Sequence, residues 1–183
     1  MTSDLRPTPG QTVGPFFGFA LPFDRGPELV ATGVPGAIRL HGRVLDGAGQ
    51  PIPDALLEIW QPDQDGRIIE LPGSLDRDGW TFTGFGRAGT SRDGSYSFTT
   101  IEPGPLAEGA APFIALTVFA RGLLDCLFTR IYLPDHPALA EDPLLSRLPP
   151  DRRRTMIASR DDHGLRFDVI LQGEAETVWL AFD

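Results

Sequence analysis

The sequence is poor in the residues that build disulfide or zinc frameworks. It has one cysteine among 183 residues, which excludes an internal disulfide and a four-cysteine zinc site. Its three histidines, His41, His136 and His163, show no H-x-H or H-x-x-x-H spacing, so a metal site built from all three is disfavoured. No G-x-S-x-G elbow, phosphate-binding loop or dinucleotide-binding glycine pattern is present. The residues alone therefore indicate no catalytic constellation.

Basic residues and long apolar runs are also scarce. The 16 basic and 25 acidic residues give a formal net charge of −9. This charge disfavours nucleic acid and an anionic membrane surface as partners, because both would repel the chain. There is no leader pattern and no apolar run near the ~18 residues of a membrane span, so we expect a cytosolic chain without membrane contact. The one basic cluster, at 152–154, is interpreted as the solvated face of a short helix.

Glycine and proline, by contrast, are abundant, with 21 and 18 residues, which indicates many turns and short strands. Alternating or continuously apolar segments predict strands at 38–45, 55–60, 95–100, 112–120, 128–133, 165–171 and 176–182. The continuous segment 112–120 is typical of a strand buried on both faces. Prolines break residues 134–159 into short helical turns. The prediction is an all-β chain, an antiparallel, prealbumin-like β-sandwich forming a single domain over 37–183.

Residues 1–36 are a different kind of segment. Recurring proline and glycine predict an extended arm instead of a helix. Burying one of its large apolar side chains is worth roughly 1.5–3 kcal/mol, so the arm must lie against its own domain or a partner. We predict that it packs on a partner subunit. The side chains concerned are Phe16, Phe17, Phe19, Leu21 and Phe23.

Five motifs follow one another along nearly the whole chain. They are Gln-Thr-Val-Gly-Pro-Phe-Phe at 11–17, His-Gly-Arg-Val-Leu-Asp at 41–46, Leu-Glu-Ile-Trp-Gln-Pro-Asp at 57–63, Gly-Ser-Tyr-Ser-Phe-Thr-Thr-Ile-Glu-Pro-Gly at 94–104 and Arg-Phe-Asp-Val-Ile-Leu-Gln-Gly at 166–173. Together they resemble the intradiol ring-cleaving dioxygenases, in particular the two-subunit protocatechuate 3,4-dioxygenases. The resemblance implies two homologous subunits, α and β, that share a β-sandwich core.

The resemblance also implies a reaction and a cofactor. In these enzymes the β subunit holds a non-haem ferric ion through two tyrosinates and two histidines, donors that suit a hard, highly charged cation. The enzyme uses O₂ to cleave protocatechuate between its two hydroxylated carbons. The product is 3-carboxy-cis,cis-muconate, formed in aromatic catabolism.

The match fails at the four metal-ligand positions. Those positions correspond here to Ile68, Leu106, Phe113 and Ala115, none of which has a lone pair to donate. A slip of one residue around Phe113 would not restore a histidine, since none occurs between 41 and 136. Loss of all four ligands resembles the α subunit, as do Phe-Ala-Arg-Gly at 119–122 and Phe-Thr-Arg-Ile-Tyr at 128–132. The chain is therefore expected to bind no metal, and to work with an iron-binding β subunit in an (αβ)n assembly.

The resemblance further implies which residues reach the substrate pocket of the partner. They are Thr12, Gly14, Pro15 and Arg130; no residue of this chain alone is implied to be catalytic. For the arm, the alternative is a bend that merely crosses the partner's surface. For Arg130, it is a structural ion pair with Asp125 or Asp135. The two tyrosines, Tyr96 and Tyr132, are interpreted as packing residues.

Two other functions stay open on the sequence alone. One is a non-catalytic β-sandwich that serves as a binding or structural module. The other is an enzyme that uses the three histidines for a different metal.

Overall fold

The computed structural model describes residues 12–14, 17–70 and 77–182. Its strands are β1 (Ala37–Leu45), β2 (Leu56–Trp60), β3 (Phe85–Gly89), β4 (Ser95–Ile101), β5 (Phe113–Phe119), β6 (Leu127–Tyr132), β7 (Ser159–Asp161), β8 (Gly164–Arg166) and β9 (Val169–Ile170). The helical pieces are α1 (Phe17–Ala20), two 3₁₀ turns (Pro137–Ala140 and Leu145–Arg147) and α2 (Pro150–Arg154). Among these described helices none is long and apolar enough to cross a membrane. The cytosolic location stays a prediction.

The strands form two sheets. Sheet I has the order β4-β1-β8-β7, with β9 also paired to β1, and sheet II has the order β3-β2-β5-β6. Sheet II is antiparallel throughout, whereas β8 and β9 run parallel to β1. These two strands follow the helical turns of residues 137–154, and a connection of that length allows a parallel return. One row across sheet II places Phe85, Trp60, Ala115 and Arg130 side by side.

The hydrophobic core lies between the two sheets. On β1, Leu40 and Val44 are fully buried while Arg39 and Arg43 face outward, which follows the alternation of the sequence. Sheet II contributes inward side chains from β2 and β5, and both sets belong to one continuous cluster. The predicted all-β sandwich is confirmed.

Several strand predictions need correction. Segment 112–120 forms β5, but only its alternate side chains are fully buried. The outward side chains, Phe113 among them, are partly buried, because the described loops cover only part of the outer face of sheet II. Segment 165–171 is divided into β8 and β9, and segment 176–182 makes only a bridge from Leu180 to Phe128. Strand β3 was not predicted, since Phe-Gly-Arg-Ala-Gly has no β-branched residue. It is held by its pairing with β2.

The described part of the arm is partly helical and contacts its own domain. Residues 17–20 make one turn of helix, where an extended chain was expected. Further along, Leu29 and Val30 are buried, and the Leu29 amide donates to the Thr99 carbonyl at 2.8 Å. Packing of the arm on a partner subunit stays a prediction.

The basic cluster does form a short helix, α2, but its arginines are not simply solvated. Arg152 donates to the carbonyl of Glu176 at 2.7 Å, and Arg153 donates to that of Leu145 at 2.9 Å. These half-buried guanidinium groups link α2 by hydrogen bonds to the neighbouring segments that contain Glu176 and Leu145.

Candidate functional site

The four positions matched to metal ligands converge on one pocket. A cavity of about 170 Å³ opens on the outer face of sheet II and is lined by Ile68, Leu106, Phe113 and Ala115. The rest of its wall consists of Trp60, Gln61, Pro62, Ile69 and Gly84. The four matched positions, up to 47 residues apart in sequence, thus share one small space.

Strand β5 places two of the four side chains. Successive side chains of a strand point to opposite faces, so Phe113 and Ala115 leave the same face. Ile114 and Leu116 point the other way and are almost completely buried in the core. A register shifted by one residue would bring Ile114 and Leu116 to the pocket and put Phe113 and Ala115 in the core.

Two glycines bring the other two positions together. Gly66 has a positive φ of 80°, and a Cβ there would overlap the carbonyl oxygen of Pro105. A Cβ on Gly104 would in the same way overlap the carbonyl oxygen of Gln64. The Gly104 amide donates to the Asp63 carbonyl at 2.7 Å. This close approach of two backbones sets Ile68 beside Leu106.

The wall of the pocket offers no donor set for a ferric ion. All four matched side chains are hydrocarbons. The side chain of Gln61 is the polar exception, and both ends of its amide are already used: Nε2 donates to the Ile101 carbonyl at 2.9 Å and Oε1 accepts from the Thr100 hydroxyl at 2.7 Å. Within the described ranges no group of three or more His, Cys, Asp or Glu residues could hold a metal ion. The residues present do not fit an iron centre.

Arg130 lies at the edge of this pocket. It is the cross-strand partner of Ala115, and its guanidinium carbon lies 4.1 Å from the centroid of the Phe113 ring. Its Nη1 donates to the Tyr132 hydroxyl at 3.2 Å. Over the part of the chain that the structure describes, Arg130 forms no ion pair with a carboxylate, and neither Asp125 nor Asp135 serves it.

The other predicted substrate-binding residues lie elsewhere. The Thr12 hydroxyl accepts a hydrogen bond of 2.8 Å from the amide of Gly122, just beyond the far end of β5. The Gly14 carbonyl accepts from the Phe17 amide at 3.2 Å. Pro15 lies outside the described residues. At about 3.3 Å per residue, roughly 13 Å of strand separates Arg130 from this end of β5. A single chain therefore does not bring the two parts together.

The histidines do not assemble a site either. On the outer face of sheet I, His41 Nε2 lies 3.1 Å from Asp161 Oδ1, and the His41 and His163 rings are 6.2 Å apart. The backbone N–H of His163 is the main cause that lowers the pKa of Asp161, and His41 adds to it. His136 instead caps the turn at Pro137–Ala140.

Comparison with known proteins identifies the relatives of this chain. A family model described as a dioxygenase matches residues 13–173. The α chain of protocatechuate 3,4-dioxygenase from Burkholderia cepacia is 39% identical, over 96% of this chain and 97% of that one. The chain belongs to the intradiol ring-cleaving dioxygenase family.

Two further relatives fit this membership. The β chain of protocatechuate 3,4-dioxygenase from Burkholderia cepacia is 32% identical, over 76% of this chain and 66% of that one. The solved dioxygenase domain of a carbohydrate-binding fusion protein from Streptomyces sp. SirexAA-E is 28% identical, with a TM-score of 0.61, 92% of this chain and 99% of that chain being covered. The expectation of an intradiol dioxygenase subunit is confirmed. The family implies a non-haem iron in the complex.

Two polar interactions of the site do not follow from the sequence. Tyr132 is buried in a core cluster, as expected of a packing residue, but its hydroxyl also accepts from Arg130 and donates to Asp142, a residue for which the sequence predicts no role. A signal for Tyr132 was available, because it follows Arg130 by two positions and so leaves the same face of β6. Nothing local to Asp142 indicates that it reaches Tyr132, ten residues earlier.

Proposed function

We propose that this chain is the subunit without iron, the α-type subunit, of an αβ protocatechuate 3,4-dioxygenase. The assembly would use O₂ to cleave protocatechuate between its hydroxylated carbons to 3-carboxy-cis,cis-muconate. One observation carries the proposal: the four ligand positions share a pocket in an otherwise preserved fold, yet they provide only carbon side chains.

The ferric ion is assigned to the homologous β partner. When bound there, it would ready the catecholate for O₂, and phenolate and imidazole ligands suit it. The role of this chain is then to help bind and orient the substrate and to enclose it in the partner's pocket. The proposed (αβ)n assembly has support from relatives that carry the names of both chains.

The outer face of sheet II supports the need for a partner. Trp60, Ile68 and Leu106 are 49%, 69% and 46% exposed, and they adjoin one another around the pocket. Grouped apolar side chains of this size are typical of an interaction surface. We assign the same role to the amino-terminal arm over 1–36, where Phe19 is 86% exposed, and treat 37–183 as the sandwich domain.

The substrate-facing groups of this chain are assigned to two places. Thr12, Gly14 and Pro15 of the arm would line one side of the partner's pocket, and Arg130 would line another. Because roughly 13 Å of strand separates Arg130 from the Gly122 end of β5, where Thr12 lies, the arm must bridge toward Arg130 in the assembled enzyme. Arg130 would offer a permanent, planar positive charge to an anionic group of the substrate.

Co-expression with the cognate β chain tests this proposal. The pair should co-purify with iron, show a visible tyrosinate-to-iron absorption band and consume O₂ with protocatechuate. The same measurements on each chain alone provide the control, and this chain alone should take up neither ferric ion nor O₂. A co-expressed pair without iron, colour and O₂ uptake would contradict the proposal and favour a non-catalytic module.

A further inference from the structure

Arg130, Tyr132 and Asp142 form a directed chain of hydrogen bonds at the edge of the apolar pocket. Arg130 donates to the Tyr132 hydroxyl at 3.2 Å, and that hydroxyl donates to Asp142 Oδ1 at 3.1 Å. The same carboxylate oxygen accepts the backbone amides of Leu144 and Leu145, each at 2.9 Å. Asp142, the last acceptor in this series of hydrogen bonds, is therefore anchored to the backbone.

The inner two members are shielded from water. Tyr132 is completely buried, and Asp142 is 4% exposed. Burial raises the pKa of Tyr132, so its hydroxyl keeps the proton that it donates to Asp142. Hydrogen bonds that follow one another in a poorly polarisable interior reinforce each other. The buried phenol thus has one defined orientation and presents its oxygen to Arg130.

Toward the residues that the structure describes, Arg130 uses only part of its hydrogen-bonding capacity. A guanidinium has five N–H donors in one plane, and Tyr132 takes only one of them. The Phe113 ring covers one face at 4.1 Å and so limits rotation of the group. Among the described residues no carboxylate pairs with it. The geometry leaves an edge of the guanidinium available for a bidentate carboxylate.

We propose that Tyr132 and Asp142 are positioning residues that hold Arg130 as the recognition group for a ring carboxylate. The inference rests on the proposed function, in which Arg130 lines the substrate pocket. It adds the two residues that act through Arg130.

Binding measurements on the αβ complex without oxygen test the inference. Isothermal titration gives dissociation constants for 3,4-dihydroxybenzoate and for catechol. We expect Arg130→Ala to weaken binding of dihydroxybenzoate about 10- to 100-fold, since hydrogen bonds to charged groups are strong. Tyr132→Phe should weaken it about 3- to 10-fold through loss of a neutral hydrogen bond. Both variants should change catechol binding less than about 2-fold.

A double variant separates positioning from packing. If Tyr132 acts through Arg130, Tyr132→Phe has no further effect on dihydroxybenzoate binding once Arg130 is alanine. Equal weakening of both ligands, or an undiminished effect in the double variant, would overturn the inference. Asp142→Asn is a gentler change, because it keeps an acceptor oxygen for Tyr132 and the two amides. It should raise the dissociation constant for dihydroxybenzoate and not that for catechol. An unchanged dissociation constant for dihydroxybenzoate would also contradict the positioning role of Asp142.

Tyr96→Phe is the matched control. Tyr96 is the other tyrosine, also buried, and it donates to the Phe167 carbonyl at 2.6 Å beside sheet I. Its loss should lower the thermal midpoint but leave the ratio of the two dissociation constants unchanged; a changed ratio would overturn the assignment of Tyr132. If the αβ complex takes up no O₂ with protocatechuate, both the proposed function and this inference are contradicted. If the complex is active but Tyr132→Phe changes the dissociation constants for dihydroxybenzoate and catechol equally, only this inference is contradicted.

Discussion

The outer faces of the two sheets differ in how they meet water. On sheet I, charged side chains are paired with one another around a polar cavity of about 430 Å³. Arg43 lies 3.5 Å from Asp93, and Arg166 lies 2.8 Å from Asp168. On sheet II, the corresponding surface is the apolar pocket with half-exposed Trp60 at its rim.

This difference supports our proposal that the partner subunit covers sheet II. Exposed ion pairs contribute little, about 0–1 kcal/mol each, but they leave a face fully compatible with water. Exposed aromatic and aliphatic side chains instead gain roughly 25 cal/mol for each Å² that a partner covers. We therefore propose that a partner covers the apolar pocket of sheet II and leaves the outer face of sheet I in contact with water.

The largest effect is expected from a charge placed on sheet II. Trp60→Asp should weaken association with the β chain by about 100-fold or more, because a buried, unpaired carboxylate costs several kcal/mol. Surface-immobilised binding between the purified chains measures this. The matched control is Ser159→Asp, which adds the same charge to the exposed strand β7 of sheet I. Equal loss of association in both variants would mean that sheet I also contacts the partner.

An intermediate effect is expected from an ion pair on the outer face of sheet II. Arg87 lies 2.6 Å from Glu58, and each side chain is only 16% exposed. Glu58→Gln leaves this guanidinium without its carboxylate and should lower the free energy of unfolding by about 1.5–3 kcal/mol. On sheet I, Arg43→Gln breaks an exposed pair and should cost at most about 1 kcal/mol. Urea denaturation of the isolated chain compares the two, and costs of equal size would contradict the contrast between the faces.

The smallest effect concerns pH and sheet I. Hydrogen bonds from Ser91 and Ser95 lower the pKa of Asp93 from 3.8 to about 2. A lowered carboxyl pKa stabilises the folded chain above the unfolded value of 3.8, and this contribution is lost as the pH falls toward 2. The stability difference between the natural chain and Asp93→Asn should therefore be constant above about pH 5 and should fall progressively between about pH 5 and pH 1. An NMR titration midpoint of Asp93 near 4 would refute this.

The sequence alone predicted those features that depend on neighbours along the chain. The alternation of β1 assigned Leu40 and Val44 to the core, and the order of motifs indicated the family and the loss of its ligands. The short helical turns of residues 134–159 followed from their prolines. Each of these depends on local periodicity or residue type, which a linear reading preserves.

Only the tertiary structure decided the features that depend on contacts between segments far apart in sequence. Ile68 reaches Leu106 because Gly66 and Gly104 let two loops approach without side chains between them. Strand β3 forms because it pairs with β2. The outward side chains of β5 are only partly buried, because distant segments cover part of the outer face of sheet II and leave the pocket open. Asp142 meets Tyr132 through a turn whose path no local pattern encodes. Segments that are distant in sequence come close only through the cooperative packing of the whole fold. Their contacts therefore cannot be predicted from local sequence patterns.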